Sequence, residues 1–246
     1  MRFFYMVAAY NEESQMHKVA TEMQSVITRF PGSEVHVIDN ASTDRTFEVA
    51  KKIQSTQGWF FAHSISTKGM GAAFRYGLNY LANKKLTEND WVVFAASDLP
   101  FGFSDLEQVA NQSEKKAILY VGSKAHPKSI LKRDFKRKLA SFIFATTRKF
   151  LLGIKTQDTQ GSLFLRGDQL ALRKFIQSND YFFAVELIYF AEKYGLVVEV
   201  PVHLQPEIRK SKVKLIKDGL LIIRQLLKFK QRVALASKAD SRLGID

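Results

Sequence analysis

The chain contains no cysteine. Disulfides and thiolate metal sites are therefore excluded, and any bound metal must take oxygen or histidine ligands. The absence of cysteine fits a reducing compartment.

Long apolar runs are also missing. No uninterrupted apolar stretch approaches the roughly 20 residues that span a bilayer as a helix. The apolar run at the N-terminus (1–12) is short and has no cleavage-like segment, so we expect a first strand there and not a signal peptide. The sequence has no internal repeat or low-complexity tract. We therefore expect a protein that is soluble or peripheral to a membrane.

Acidic residues are scarce in two segments of the chain. The 246 residues carry a formal charge of +13, but 124–149 accounts for +8 of it and 205–246 for +7. The remainder of the chain has a small acidic excess of two. An uneven distribution of this kind suggests a basic surface that binds something anionic.

Both basic segments have helical, amphipathic patterns, over Ser129–Leu152 and about Lys212–Val233. Ordinary surface helices with solvated basic faces are the commoner explanation. Attachment to an anionic membrane surface is the more specific one. We rank nucleic acid below the membrane and expect no nucleic-acid partner, because no helix-turn-helix, zinc knuckle or aromatic-basic sheet pattern is present.

Apolar strands and helical segments alternate through the first half of the chain, which predicts an α/β protein with a mostly parallel central sheet flanked by helices. With 46% apolar residues the chain can form one sizeable core. The predicted strands are 3–9, 35–38, 59–65, 91–95, 117–121, 162–165 and 197–202. The predicted helices between and after them are 12–28, 46–54, 71–81, 104–111, 168–176 and 184–194.

Polar residues follow several of these strands, where open α/β sheets bind ligands. Asp98 ends the apolar strand that starts at Trp91, and it could hold a cation or a sugar nucleotide, with a turn or helix-cap role as the equal alternative. Asp39 could accept a hydrogen bond from a nucleotide base, whereas Asp44 fits a helix cap better. Lys68 and Gly69 could approach a phosphate. Together these strand ends suggest a nucleotide site.

The same residues resemble the family 2 inverting glycosyltransferases, which have the GT-A nucleotide-diphospho-sugar transferase fold. The resemblance covers nearly the whole chain to about residue 230, and its second half is similar to the dolichyl-phosphate glucosyltransferase and polyprenyl-phosphate mannosyltransferase branch. The matching segments are 7–13, 37–46, 68–73, 94–99, 121–126, 153–160, 183–187, 199–202 and 211–213.

The resemblance implies roles for matching residues. Tyr10 and Glu12 match the family's first-strand nucleotide motif, and Asp39 matches the aspartate that contacts the base. Asp98 matches the second aspartate of the family's Asp-x-Asp pair, which binds Mg²⁺ or Mn²⁺ at the donor diphosphate. The first aspartate of that pair is Ala96 here, so one oxygen ligand is missing and metal affinity could be lower.

Other departures from the family pattern are Asn40 and Ala41, where Asp-Gly is usual, and Ala184, where Asp usually precedes Val-Glu. These replacements bear on donor affinity and on activity itself.

On the acceptor side the resemblance implies a lipid phosphate, which is largely ionised at neutral pH and needs no general base. Lys124, Arg133 and Arg137 are the candidates for positioning it, and the alternative for the arginines is a solvated helix face. Asp158 could line the acceptor pocket or act as a base for a hydroxyl acceptor.

We therefore expect an enzyme that transfers a hexose, most simply glucose, from a nucleotide sugar to polyprenyl or dolichyl phosphate with inversion. UDP-hexose fits Asp39 better than GDP-mannose. The alternatives are a soluble family 2 transferase acting on a hydroxyl of a saccharide or surface polymer, and a degenerate homologue that binds a nucleotide or membrane without catalysis.

The expected organisation is a GT-A domain at 1–205 and a basic amphipathic helix and tail at 206–246. Within the domain, 1–122 would bind the nucleotide sugar and 123–205 the acceptor. The expected location is the cytoplasm, peripheral on the cytoplasmic face of a membrane.

Overall fold

A computed structural model describes residues 1–112, 116–131, 135–204 and 215–242, without the side chains of 135–140, 215–221 and 236–242. The chain divides into two compact units. The first unit comprises Met1–Leu131 and Asp158–Gln205, and the second comprises Lys132–Gln157 and Pro206–Asp246. The predicted division at residue 205 stays a prediction.

The strands form one seven-stranded sheet in the order β3-β2-β1-β4-β6-β5-β7. Their bounds are β1 Arg2–Ala9, β2 Glu34–Asn40, β3 Phe60–Ile65, β4 Asp90–Ala96, β5 Ala117–Ser123, β6 Leu163–Arg166 and β7 Leu196–Pro201. Every strand pair is parallel except those of β6, which runs antiparallel to β4 and β5. The mostly parallel α/β sheet that the sequence predicts is thus confirmed.

Helices connect and flank these strands. The α-helices are α1 Met16–Arg29, α2 Thr46–Gln54, α3 Met70–Leu81, α4 Ser104–Ala110, α5 Phe135–Leu152, α6 Phe182–Tyr194 and α7 Leu215–Arg242. Two 3-10 segments, Glu13–Gln15 and Gly167–Phe175, complete the described elements.

The core of the first unit lies on the two faces of the central strands. All residues of β1 from Phe3 to Ala9 are buried, as expected for a parallel sheet covered on both sides. On one face α1 contributes Met16, Val19 and Met23, whose helical spacing aligns them toward the sheet. On the other face α3 carries Gly77, where an added Cβ would lie 2.4 Å from the Sδ of Met6. The small residue lets α3 approach β1 closely.

Many predicted bounds differ from the structure by a few residues, and three differences are informative. The first basic helix does not begin at Ser129, because the backbone N–H of Ile130 donates to the Val202 carbonyl and its carbonyl accepts from the Leu204 N–H. That strand-like pairing replaces the first helical turn. The segment predicted as a helix at 168–176 forms a 3-10 helix instead. The last helix extends beyond Val233 to Arg242.

The second unit contains α5 and α7, which contact each other. Arg148 of α5 is buried, and its guanidinium donates to the carbonyls of Thr156 and Gln157 at 3.4 and 2.7 Å. Large apolar side chains elsewhere on α5 are solvent-exposed: Phe142 is 68% and Phe150 86% accessible. Among the described residues, no helix is both long and apolar enough to cross a membrane.

Candidate active site

The candidate site lies where the parallel strands end at their carboxyl edge. Ala8 of β1 pairs with Ala96 of β4, and Ala9 pairs with Asp39 of β2, so the residues after these positions share one edge of the sheet. The polar segments that the sequence places after β1, β2, β3 and β4 therefore converge, as expected for a ligand site in an open α/β sheet.

The side chains of Asp39 and Asn40 are buried at this edge of the sheet. Asp39 is 4% exposed, and its carboxylate accepts from the Ser64 hydroxyl and the Ser42 N–H, both at 3.3 Å. Asn40 donates to the Ala9 carbonyl at 2.8 Å and accepts from the Gly69 N–H at 3.1 Å. Asn40 thus ties the end of β1 to the segment that precedes α3.

The side chains of Lys68 and Tyr10 contact each other at the same edge. The ammonium of Lys68 donates to the Tyr10 hydroxyl at 2.7 Å and lies 3.9 Å from the centre of the Tyr10 ring. A cation held close to an aromatic ring is favourably placed. Lys68 is solvent-exposed, so its charge can meet an incoming anion.

Asp98 follows β4 at the same edge and is solvent-exposed. Within the described residues it has no hydrogen bond or ion pair. The next helix, α4, has Phe103 at its N-cap, so Asp98 does not cap it. The turn between them contains Leu99 at φ 43° and Phe103 at φ 65°, backbone angles that are uncommon for such residues. The carboxylate is thus presented on a tight turn and is open to a ligand.

Lys124 follows β5 and is paired with Asp158. The Asp158 carboxylate accepts from the Lys124 backbone N–H at 2.8 Å, from its ammonium at 3.1 Å and from the Gln160 N–H at 2.8 Å. The Lys124 ammonium also donates to the Gln160 carbonyl and lies 5.4 Å from the centre of the Phe101 ring. These contacts fix the lysine head at the end of β5.

The pKa of Asp158 follows from these contacts. Burial by itself would raise the pKa, but the charge of Lys124 and hydrogen bonds from Gln160 and Lys124 outweigh it and lower the pKa below its usual value. Asp158 is therefore ionised at neutral pH. Both of its oxygens are already used as acceptors.

The remaining predicted residues are divided. Glu12 lies beside the site, and its backbone N–H donates to the Thr46 hydroxyl at 2.8 Å. Asp44 lies one residue before Arg45, the N-cap residue of α2, and its carboxylate accepts from the Thr46 N–H at 3.0 Å. Arg133 and the side chain of Arg137 lie outside the described residues.

The sequence patterns did not indicate two residues, Glu186 and Arg75, that hold the segment packed against the Lys68 segment. Glu186 of α6 is 1% exposed and accepts from the backbone N–H groups of Gln177 and Ser178 at 2.7 and 3.0 Å. Arg75 of α3 donates to the Gln177 carbonyl and to the Asn179 side chain. The only sequence signal was the Phe183–Leu187 motif, which gave no partner for its glutamate.

This fold and its strand-end cluster define the class of protein. The sheet, with polar clusters at the carboxyl ends of its parallel strands and one antiparallel strand between β4 and β5, is that of a GT-A nucleotide-diphospho-sugar transferase. The family model for glycosyl transferase family 2 matches residues 5–171. The chain belongs to this family, and the protein is a glycosyltransferase. The fold and enzyme class expected from the resemblance are confirmed.

The sequence is similar to that of a known glycosyltransferase over most of the chain. It is 24% identical to a dolichyl-phosphate beta-glucosyltransferase of Saccharomyces cerevisiae, with 96% of this chain and 76% of the yeast protein covered.

Solved structures of glucosyl-3-phosphoglycerate synthase from Mycobacterium tuberculosis share the fold. The complex with UDP has a TM-score of 0.62 at 20% identity, covering 100% of this chain and 81% of the other. The complex with Mn²⁺, UDP-glucose and phosphoglyceric acid has a TM-score of 0.63 at 18% identity, covering 100% and 80%.

Proposed function

We propose that the protein transfers glucose from a nucleotide sugar to a polyprenyl or dolichyl phosphate, with inversion at the anomeric carbon. The observation that carries the proposal is the Lys124–Asp158 pair. Within the pair, both carboxylate oxygens of Asp158 already accept hydrogen bonds and its pKa is lowered, so Asp158 is poorly suited to act as a base. A site of this kind suits an acceptor that is already an anion.

The donor would bind across the ends of β1, β2 and β3. Asp39 is a buried acceptor suited to the N–H of a uracil ring, with Tyr10 and Glu12 beside it and Lys68 and Gly69 toward the diphosphate. The structural relatives that contain UDP or UDP-glucose support a uridine donor.

A divalent cation would bind at Asp98. One exposed carboxylate cannot enclose an ion, and the described residues contain no cluster of three or more acidic or histidine ligands. Mg²⁺ is commonly held by one or two carboxylates together with substrate phosphates and water, so Asp98 fits an ion shared with the donor diphosphate. Mn²⁺ in the related structures supports a cation of this type. When bound, the ion would neutralise the leaving diphosphate.

The transfer itself needs no proton to be removed from the acceptor. The second pKa of a phosphate monoester is near ~6, so an oxygen of the lipid phosphate is ionised at neutral pH. That oxygen forms the new bond to the anomeric carbon from the face opposite the leaving group. The bond from that carbon to the diphosphate breaks, and the nucleoside diphosphate leaves with the electron pair. Lys124, Arg133 and Arg137 would orient the acceptor phosphate.

The second unit would hold the enzyme at a membrane. Phe142, Ile143 and Phe150 are more than half exposed on α5, and Lys149 is exposed beside them. Exposed aromatic and aliphatic side chains next to basic ones are typical of helices that lie in the interface of an anionic bilayer. Each basic side chain there contributes about 1 kcal/mol of binding. A cytoplasmic enzyme attached to a membrane face would reach a lipid phosphate in this way.

The second candidate function is transfer to a hydroxyl of a water-soluble acceptor. The fold shared with glucosyl-3-phosphoglycerate synthase over the whole chain favours it. Asp158 would then have to act as the base, and its lowered pKa argues against that role.

One assay distinguishes these functions. The full chain is incubated with Mg²⁺ or Mn²⁺ and labelled UDP- or GDP-hexoses, with and without a polyprenyl phosphate. We expect label from UDP-glucose to enter the organic phase only when the lipid phosphate is present. A water-soluble glycoside instead would favour the hydroxyl acceptor, and nucleotide binding without turnover would mean a non-catalytic homologue. The Lys68→Met variant is the control for transfer that depends on the donor site.

A further inference from the structure

Residues 177–180, here called the 177–180 loop, pack directly on the segment that carries Lys68. The Asn179 carbonyl accepts from the Ala72 N–H at 3.0 Å, within the first turn of α3. That N–H belongs to the group of amides at a helix start that have no partner inside the helix. The loop therefore provides a backbone cap for α3.

The two glycines of the Lys68 segment are required by this contact. A Cβ added at Gly69 would lie 2.1 Å from the Asn179 carbonyl oxygen, and one at Gly71 would lie 2.5 Å from the Asp180 carbonyl oxygen. Gly69 also has a φ of 130°, which other residues rarely adopt. The two glycines thus allow the 177–180 loop to pack closely, and they would also allow a ligand to approach the backbone.

Two charged side chains hold the loop in place. The buried carboxylate of Glu186 accepts from the backbone N–H groups of Gln177 and Ser178, so one oxygen fixes the direction of two peptide units. From the other side, Arg75 donates from one nitrogen to the Gln177 carbonyl at 2.8 Å and to the Asn179 side-chain oxygen at 2.6 Å. Hydrogen bonds to charged groups of this kind are stronger than neutral ones.

We infer that Glu186 and Arg75 are positioning residues for nucleotide-sugar binding, acting through the 177–180 loop on the Lys68–Gly71 segment. This inference rests on the proposed function, in which that segment meets the donor diphosphate. Asn40 holds the segment from the sheet side through the Gly69 N–H. The loop holds it from the α6 side. The backbone amides and Lys68 are thereby preorganised before the nucleotide arrives.

Loosening the loop should weaken donor binding more than acceptor binding. A preorganised segment loses its conformational entropy during folding. A loosened segment loses that entropy only when the nucleotide binds, which weakens binding. We expect about a tenfold rise in the Kd of UDP and in the KM of the donor, equivalent to about 1.4 kcal/mol. The KM of the acceptor should change less, by under about twofold.

The variants are chosen to separate this role from general stability. Glu186→Met removes the acceptor for the two N–H groups at similar volume, whereas Glu186→Gln retains a carbonyl oxygen that can accept both and should restore most of the affinity. Arg75→Met removes the outer contacts from a partly exposed position and leaves the core intact. Arg29→Met, near the C-terminus of α1, is a matched arginine control and should bind UDP like the unmodified protein.

UDP affinity is measured by calorimetry on each full-length variant, together with donor and acceptor KM and the thermal midpoint. The expected result is weakened UDP binding in Arg75→Met and Glu186→Met, near-normal binding in Glu186→Gln, and folded protein throughout. If Lys68→Met weakens UDP binding but folded Arg75→Met binds it normally, this inference is overturned while the proposed donor site stands. If Lys68→Met itself has no effect, the proposed donor site is wrong. Should Glu186→Met fail to fold, Arg75→Met alone decides.

Discussion

Asp98 and Ala96 have unequal environments at the end of one strand. Ala96 is the last residue of β4, paired with Ala8, whereas Asp98 stands on the exposed turn beyond it. The Asp98 carboxylate has no hydrogen bond or ion pair within the described residues and is therefore accessible to a ligand. An alanine two positions earlier contributes no oxygen. In the proposed site, Asp98 would therefore be the one carboxylate among the described residues that holds the cation.

This arrangement predicts opposite effects of two substitutions. Asp98→Asn removes the only charged ligand proposed for the cation and should lower activity by about 100-fold while raising the metal concentration needed. Ala96→Asp adds an oxygen ligand and should lower that concentration several-fold. Activity titrated with Mn²⁺ and Mg²⁺ measures both changes. If neither variant shifts the titration, Asp98 is only a turn residue.

Single residues were predictable from sequence where strand position determines them. Asp39 lies near the end of β2, Lys68 and Asp98 follow β3 and β4, and parallel strands bring their ends together. The pairing of Lys124 with Asp158 was not predictable, because the two residues are 34 positions apart and the segments that carry them meet only where β5 pairs with β6. Glu186 was equally hidden, since its partners are backbone amides that any sequence would provide.

Most secondary-structure elements were predictable from sequence, the helices from amphipathic periodicity and the strands from apolar runs. The predicted helix 46–54 matches α2 to the residue. Tertiary pairing overrode the helical pattern at Ile130, where the backbone bonds to Val202 and Leu204 instead. Long-range hydrogen bonds of this type leave no local pattern to read.

The neighbouring strands β2 and β3 carry a hydrogen-bonded pair of histidines. His36 of β2 is buried, with its Nδ1 3.0 Å from the Nε2 of His63 on β3 and its Nε2 2.9 Å from a carboxylate oxygen of Glu34. The Glu34 carboxylate also contacts the Lys84 ammonium. Burial, together with the charges of His36, Lys51 and Lys84, lowers the pKa of His63 to about 4. Burial opposes ionisation of Glu34, but His36 and Lys84 lower its pKa to about 2.

These pKa values predict a fall in stability on acidification. The unfolded chain protonates His63 near its ordinary pKa of 6.5 and the folded protein only near 4, so stability decreases as the pH falls from about 6.5 to 4. Stabilisation from ionised Glu34 is lost at lower pH, between about 4.5 and 2. Because His63 is partly exposed, solvent screening reduces its contribution, and we expect a loss of about 1 kcal/mol between pH 7 and 5.

Urea unfolding at a series of pH values measures this loss. His63→Gln should flatten the dependence between pH 6.5 and 4, whereas His17→Gln, at an exposed position on α1, should leave it unchanged. An unaltered slope in His63→Gln would refute the assignment.

At the scale of the whole molecule, the charge map and the two units coincide in part. The basic segments identified from sequence fall largely within the second unit, which contains α5 and α7. Charge distribution was readable from sequence because it needs no contacts. Which apolar residues of α5 remain exposed was not readable, since that depends on packing.

The second unit should bind anionic membranes. We expect the full chain to sediment with phosphatidylglycerol-containing vesicles and less with pure phosphatidylcholine, and added salt should weaken binding by screening. The Phe142→Ser, Phe150→Ser double variant should bind several-fold more weakly, because it removes apolar side chains that would enter the interface. Tyr181→Ser, at an exposed aromatic position of the first unit, is the matched control. Equal binding to both vesicle types would contradict an electrostatic docking surface.

The anomeric configuration of the transfer product is the most direct test of the proposed reaction. The full-length protein is given UDP-glucose, a divalent cation and a polyprenyl phosphate, and the organic-soluble product is analysed by proton NMR at its anomeric position. We expect a β-linked glucosyl phosphate on the lipid, formed with inversion of the α-linked donor. An α-linked product, or glucose transferred only to a water-soluble hydroxyl, would contradict it.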